Sequence, residues 1–147
     1  SDEGEIMITD KNYETDIEKF NQFIFEMDDI LEEFINELSL QGITLDYSLS
    51  STDSLETYIA NNINSDDINA ITRASRYLGE VFRKHSGGRW DLSIDDPKNI
   101  NFKLPIINGY SKLDLEFCPI AIVGNFISSK KQGLIRIAID SNLEYCD

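Results

Sequence analysis

A long apolar stripe in the N-terminal third is the feature that most constrains the fold. Between residues 17 and 38, large apolar side chains recur at alternating intervals of three and four: Ile17, Phe20, Ile24, Met27, Leu31, Phe34 and Leu38. This spacing places them on one face of an α-helix. A capping box of Thr15 and Glu18 predicts where the helix begins, and Gly42 predicts where it ends. Three further apolar residues widen the stripe: Phe23, Ile30 and Ile35. A stripe of this width favours a helix that lies across a globular core over a two-stranded coiled coil.

The same helix carries a row of carboxylates on its outer face. The row consists of Glu26, Asp29, Glu33 and Glu37. No basic residue after Lys19 neutralises them within that helix. A metal site is disfavoured, because the only histidine of the chain is His85 and no EF-hand loop is present. We therefore predict no metal and no cofactor, and two interpretations of the row stay open: a solvated face, or a docking surface for a basic partner.

Charge is distributed unevenly along the 147 residues. Residues 1–67 contain 18 acidic and two basic residues, whereas residues 68–147 contain nine acidic and 11 basic residues. An acidic surface repels nucleic acids and anionic membranes and accelerates encounter with basic proteins. No run of 18 apolar residues occurs, and the acidic start does not resemble a signal peptide. The expected protein is cytoplasmic, a monomer or weak dimer, with a basic protein partner and no nucleic-acid or membrane partner.

Two more helices are predicted before residue 88. Asp53 and Glu56 form a capping box for the second, and Ser65-Asp66-Asp67 caps the third. The third helix is basic: it carries Arg73, Arg76, Arg83 and Lys84. We expect these cations to pair with the carboxylates of the first helix.

The third helix ends in a short motif. Gly79 lies in the helix interior, where glycine costs about 1 kcal/mol relative to alanine, so a close packing contact is expected there. Glu80 has Arg76 and Lys84 one turn away on either side, which predicts an ion pair. The alternative is a buried acid beside Tyr77 and Trp90.

Two glycines and a tryptophan complete the motif. Gly87 and Gly88 predict the helix end, and Trp90 then begins a strand. The string Tyr77-Leu78-Gly79-Glu80 followed by Gly87-Gly88-Arg89-Trp90 resembles the YxGE…GGxW signature of small uncharacterised bacterial domains, some of them similar to immunity proteins. The resemblance implies helices followed by a few strands, and a role next to toxins.

The C-terminal part reads mainly as strands. Residues 89–107 predict an antiparallel hairpin and residues 113–117 a third strand. Residues 119–129 predict a helix, whereas the apolar spacing in residues 134–146 fits either a helix or a strand. Residues 5–9 are expected to form an edge strand or a segment packed on the first helix, and residues 43–47 an extended piece. Cys118 and Cys146 fit no metal spacing and are expected to be free thiols, with a disulfide as the alternative.

Together these patterns predict a single α+β domain over residues 1–147. Three N-terminal helices should pack on a small antiparallel sheet, with residues 1–88 mainly helical and 89–147 mainly strand with one helix.

No catalytic signature is present, so the leading hypothesis is a non-enzymatic acidic immunity or inhibitor protein that binds a basic, nuclease-like toxin through the carboxylate row. The alternatives are a ligand-binding domain or enzyme centred on Tyr77, Glu80, His85 and Trp90, and a structural adaptor that exposes an apolar patch.

Overall fold

The computed structural model describes the backbone of residues 2–147 and the side chains of residues 14–147. Over this range the chain forms six helices and one two-stranded antiparallel sheet. In chain order the elements are α1 (Asp2–Phe25), α2 (Met27–Leu40), α3 (Ser51–Asn62), α4 (Ile68–Ser86), β1 (Arg89–Leu92), β2 (Pro105–Asn108), α5 (Pro119–Ser129) and α6 (Leu134–Leu143). The α+β class is confirmed, but four described helices precede the sheet instead of the three N-terminal helices that were predicted. None of them is long and apolar enough to cross a membrane.

Helix α4 is the centre of the fold. It packs against α2, α3, α5, α6 and both strands, and its side chains at Ala74, Leu78, Val81 and Phe82 are fully buried. The sequence signals at its two ends are confirmed. The Asp67 carboxylate accepts a hydrogen bond from the Ala70 amide at 3.1 Å, and Gly87 adopts the left-handed conformation with φ of 79°.

The predicted first helix is in fact two. Helix α1 begins at Asp2, so the capping box of Thr15 and Glu18 is wrong, as is the strand at 5–9, because both lie inside α1. The apolar stripe continues into α2, where Met27, Leu31, Phe34 and Leu38 are buried. Glu26 separates α1 from α2 and belongs to neither helix. The cause is a contact from α4, which is described below.

The sheet is a short hairpin beside α4. Arg89 pairs with Asn108 and Leu92 with Pro105 in antiparallel register. The predicted third strand at 113–117 is reduced to one bridge, in which Phe117 exchanges backbone hydrogen bonds with Ile107 at 2.8 and 2.9 Å. Phe117 is fixed there because its ring stacks on Phe82 of α4, with ring centroids 3.9 Å apart.

The prediction that residues 89–147 are mainly strand is wrong. The helix predicted at 119–129 is confirmed as α5, and the undecided end of the chain is α6. Ile135 and Ile139, whose spacing fits a helix, are fully buried in α6.

One further local prediction is corrected, and residues 43–47, predicted to be extended, belong to neither strand of the sheet. Helix α3 begins at Ser51, before Asp53, so Asp53 and Glu56 are not its capping box. Glu56 instead binds the start of α6, as described below.

Candidate functional site

Arginine side chains of α4 pair with the two ends of the predicted carboxylate row and leave its middle unpaired. At one end the Glu37 carboxylate forms an ion pair with Arg73 at 2.6 Å, and at the other end Glu26 lies 3.8 Å from the Arg76 guanidinium. The middle residues Asp29 and Glu33 are exposed, and neither forms a hydrogen bond or ion pair with another described side chain. Only these two of the four predicted contact residues therefore offer unpaired carboxylates to a partner.

Among the side chains of residues 14–147, the expected pairing of basic α4 with the acidic helices is confirmed for Arg73 and Arg76 and not for Arg83 or Lys84. The Arg83 Nε donates to the Glu80 carboxylate at 2.5 Å within the same helix. The Lys84 ammonium lies 4.9 Å from the centroid of the Tyr47 ring, a cation–π contact. One ion pair thus joins α4 to Glu37 of α2, and the other joins α4 to Glu26 between α1 and α2.

Sequence reasoning missed Phe25, which lies at the end of α1 on the acidic side. Its side chain is 81% exposed. Glu26 keeps right-handed helical backbone angles, its amide donates to Gln22 and its carbonyl accepts from Ile30, each at 3.0 Å. The spacing of three and four residues therefore still places Phe25 beside Asp28 and Asp29. The signal in the sequence was an aromatic residue off the apolar stripe, among carboxylates.

The joint between α1 and α2 is held by Arg76, which is buried on α4. Its guanidinium donates to the Phe23 carbonyl at 2.5 Å and lies over the Phe23 ring, 4.0 Å from the centroid. In an uninterrupted helix that carbonyl would accept from the amide four residues later. A side chain that takes this acceptor breaks the helix, which explains why Glu26 lies outside both helices. Burial lowers the pKa of Arg76, and the Glu26 carboxylate partly offsets that effect.

The Gly79-Glu80-Trp90 part of the motif is a packing unit. Gly79 lies so close to the Trp90 ring that a Cβ atom at this position would overlap the ring. The Trp90 Nε1 donates to the buried Glu80 carboxylate at 3.2 Å. The Trp90 ring packs edge-on against the Phe23 ring, with ring centroids 5.2 Å apart. The predicted packing reason for Gly79 is confirmed. The predicted ion pairs of Glu80 with Arg76 and Lys84 are wrong, because Glu80 binds Arg83 and Trp90 instead.

Gly87 and Gly88 let the chain turn from α4 into β1. Gly87 provides the left-handed turn, whereas a Cβ at Gly88 would lie 2.7 Å from the Ile107 side chain and 2.9 Å from the Asn108 carbonyl. The left-handed conformation thus explains Gly87, and close packing explains Gly79 and Gly88.

Tyr77 and His85 belong to a separate network around Tyr47. The Tyr47 amide donates to the Tyr77 hydroxyl at 2.8 Å, and that hydroxyl also lies 2.7 Å from the Ser51 hydroxyl. The exposed His85 places Nε2 2.9 Å from the Tyr47 carbonyl oxygen. These contacts hold Tyr47 in a left-handed conformation with φ of 63°. Burial raises the pKa of Tyr77, so its hydroxyl stays neutral.

The hydrogen bonds of Tyr77, Glu80, His85 and Trp90 therefore divide these residues into two groups, Glu80 with Trp90 and Tyr77 with His85 through Tyr47. The alternative of one catalytic or ligand site built from all four gains no support from these contacts. Among the described side chains, no group of three or more His, Cys, Asp or Glu residues could hold a metal ion.

The two cysteines are both free thiols, Cys118 buried and Cys146 half-buried. Burial raises the pKa of both, so neither is an activated nucleophile. Comparison with protein-family models, curated proteins and solved structures finds no significant match to this chain.

Proposed function

We propose that this chain is a non-enzymatic binding protein that neutralises a basic protein by direct contact, in the manner of an immunity protein that blocks a nuclease-like toxin. The observation that carries the proposal is the outer face of the α1–α2 joint. There the exposed Phe25 ring lies beside Asp28 and Asp29. We call this surface, Phe25 with Asp28, Asp29, Glu32 and Glu33, the acidic face.

The acidic face combines an exposed aromatic side chain with surrounding carboxylates. Aromatic side chains that insert into a pocket supply much of the affinity of such contacts, and surrounding charges steer association. The carboxylates at Asp28, Asp29, Glu32 and Glu33 are all exposed. A basic protein surface with an apolar depression offers the complement to both features. A partner with a nucleic-acid site supplies the basic part of this surface, because its cations are placed to receive phosphates.

The proposal gives the motif a structural part in binding. Trp90 packs on Phe23, and Arg76 binds the Phe23 carbonyl, two residues before Phe25. These contacts hold the joint in one conformation. A rigid joint presents Phe25 and the carboxylates without an ordering cost on binding.

The test is capture of a partner by charge-matched variants. The immobilised protein is incubated with a lysate of its source cells at low and moderate salt, beside an Asp29→Asn, Glu33→Gln variant and an Asp95→Asn, Glu144→Gln control. All four residues are exposed, and both variants lose the same charge. We expect a basic protein that the native form and the control retain. The acidic-face variant should bind the purified partner about five- to tenfold more weakly.

Two results would contradict this proposal. Equal loss in both variants would show that net charge alone attracts the captured protein. Equal retention in both would show that Asp29 and Glu33 only solvate the helix.

A further inference from the structure

A cleft of about 760 Å³ opens between α3 and the connection from α5 to α6. Its apolar lining consists of Ile59, Ala60, Ile63, Phe126 and Ile127. Its polar lining includes Asn64, Ser128 and Lys130. The volume and the mixture of an apolar floor with a few polar groups are those of small-molecule sites.

The one carboxylate in the lining is already engaged. Glu56 is 9% exposed, and its two oxygens accept from the Gly133 amide at 2.9 Å and the Ile135 amide at 3.1 Å. These amides form the start of α6, whose dipole places partial positive charge there. The negative charge of Glu56 is therefore compensated within the protein.

The cation in the lining is free. Lys130 is exposed, and its ammonium forms no hydrogen bond or ion pair with another described residue. Lys130 also adopts the left-handed conformation at the end of α5, with φ of 54°. Glycine or asparagine occupies that conformation at lower cost, so the local backbone does not favour lysine.

We infer that this cleft binds a small organic anion with an apolar body, of the class of aliphatic carboxylates. The body lies against an apolar floor formed by Ala60 and Ile127, the apolar lining residues that keep exposed surface, whereas Ile59, Ile63 and Phe126 are buried. The anionic head lies at the rim, where the Lys130 ammonium and the polar side chains of Asn64 and Ser128 supply donors. The inference does not depend on the proposed protein partner, because the cleft and the acidic face share no residue.

The experiment is a titration of the ¹⁵N-labelled protein with decanoate, followed by NMR, with decan-1-ol as the neutral counterpart. We expect saturable shifts of the backbone amides in segments 57–65 and 126–132. Lys130→Asn suits the left-handed backbone and removes the charge. It should weaken decanoate binding about five- to tenfold and change decan-1-ol binding less than about twofold.

Two further variants make the result specific. Lys112→Asn removes an equal charge from an exposed lysine outside the cleft and should leave decanoate binding unchanged. Ala60→Trp fills the floor and should abolish the shifts. The inference is overturned by the absence of saturable shifts in the two segments, by equal weakening in Lys130→Asn and Lys112→Asn, or by unchanged affinity in a folded Ala60→Trp protein.

Discussion

Replacing Gly79 with alanine is expected to lower the free energy of unfolding by about 2 kcal/mol, although alanine is the better helix former. The new Cβ would overlap the Trp90 ring and lie 3.1 Å from the Pro119 side chain. Relief of this overlap costs up to about 3 kcal/mol, and the gain in helix propensity returns about 1 kcal/mol. Thermal unfolding followed by circular dichroism should show a midpoint lower by about 4–8 °C.

Gly124 provides the matched control for that substitution. It also lies inside a helix, α5, but a Cβ there would meet no atom within 4 Å. Gly124→Ala should therefore raise the stability by about 0.5–1 kcal/mol. A Trp90→Phe change should reduce the cost of Gly79→Ala, because the smaller ring leaves room for the methyl group. Equal effects of the two alanine substitutions would show that Gly79 is not required for close packing.

Replacing Glu56 with alanine is expected to lower the free energy of unfolding by about 2–3 kcal/mol. The Glu56 carboxylate accepts the amides of Gly133 and Ile135, 77 and 79 residues away in sequence. Its removal leaves two donors at the start of α6 without their partner, and loses a negative charge near the positive end of the helix dipole. Glu56→Gln should cost less, because one side-chain oxygen still accepts.

The Asp53→Ala variant is the control, because it also removes a carboxylate from α3. The Asp53 side chain is 62% exposed and lies 3.7 Å from Arg136 on α6. An exposed ion pair of this kind contributes at most about 1 kcal/mol, so Asp53→Ala should be close to neutral. Urea unfolding measures both variants. If Asp53→Ala costs as much as Glu56→Ala, the start of α6 does not depend on the buried carboxylate.

These two effects also show how far the sequence predicts this fold. Helix α4 was predictable at both ends, because Asp67 and Gly87 are local signals and the apolar period between them is regular. The start of α6 was not predictable, because the group that binds its first amides is Glu56 on α3. The predicted capping box of Asp53 and Glu56 was wrong, and only Glu56 binds amides at a helix start, those of α6.

The same limit applies to the candidate binding face. The carboxylate row was visible as helical spacing, and its pairing with the basic helix was expected, but the sequence could not show which carboxylates Arg73 and Arg76 would neutralise. The break at Glu26 depends on a guanidinium 50 residues further along the chain. Phe25 became informative only when its exposure was known, since aromatic residues near a helix end are usually buried. Local periodicity therefore predicts the helices, whereas their partners determine which residues remain available.

The measurement that tests the central claim most directly is the affinity of the captured basic protein for Phe25→Ser and Ile100→Ser variants, measured by calorimetry. Ile100 is 92% exposed and lies in the loop between β1 and β2, so it matches Phe25 in exposure but not in place. We predict at least about tenfold weaker binding for Phe25→Ser, a loss of about 1.4 kcal/mol, and a change below about twofold for Ile100→Ser. Unchanged binding by Phe25→Ser, or equal weakening by both variants, would contradict the assignment of the acidic face as the binding surface.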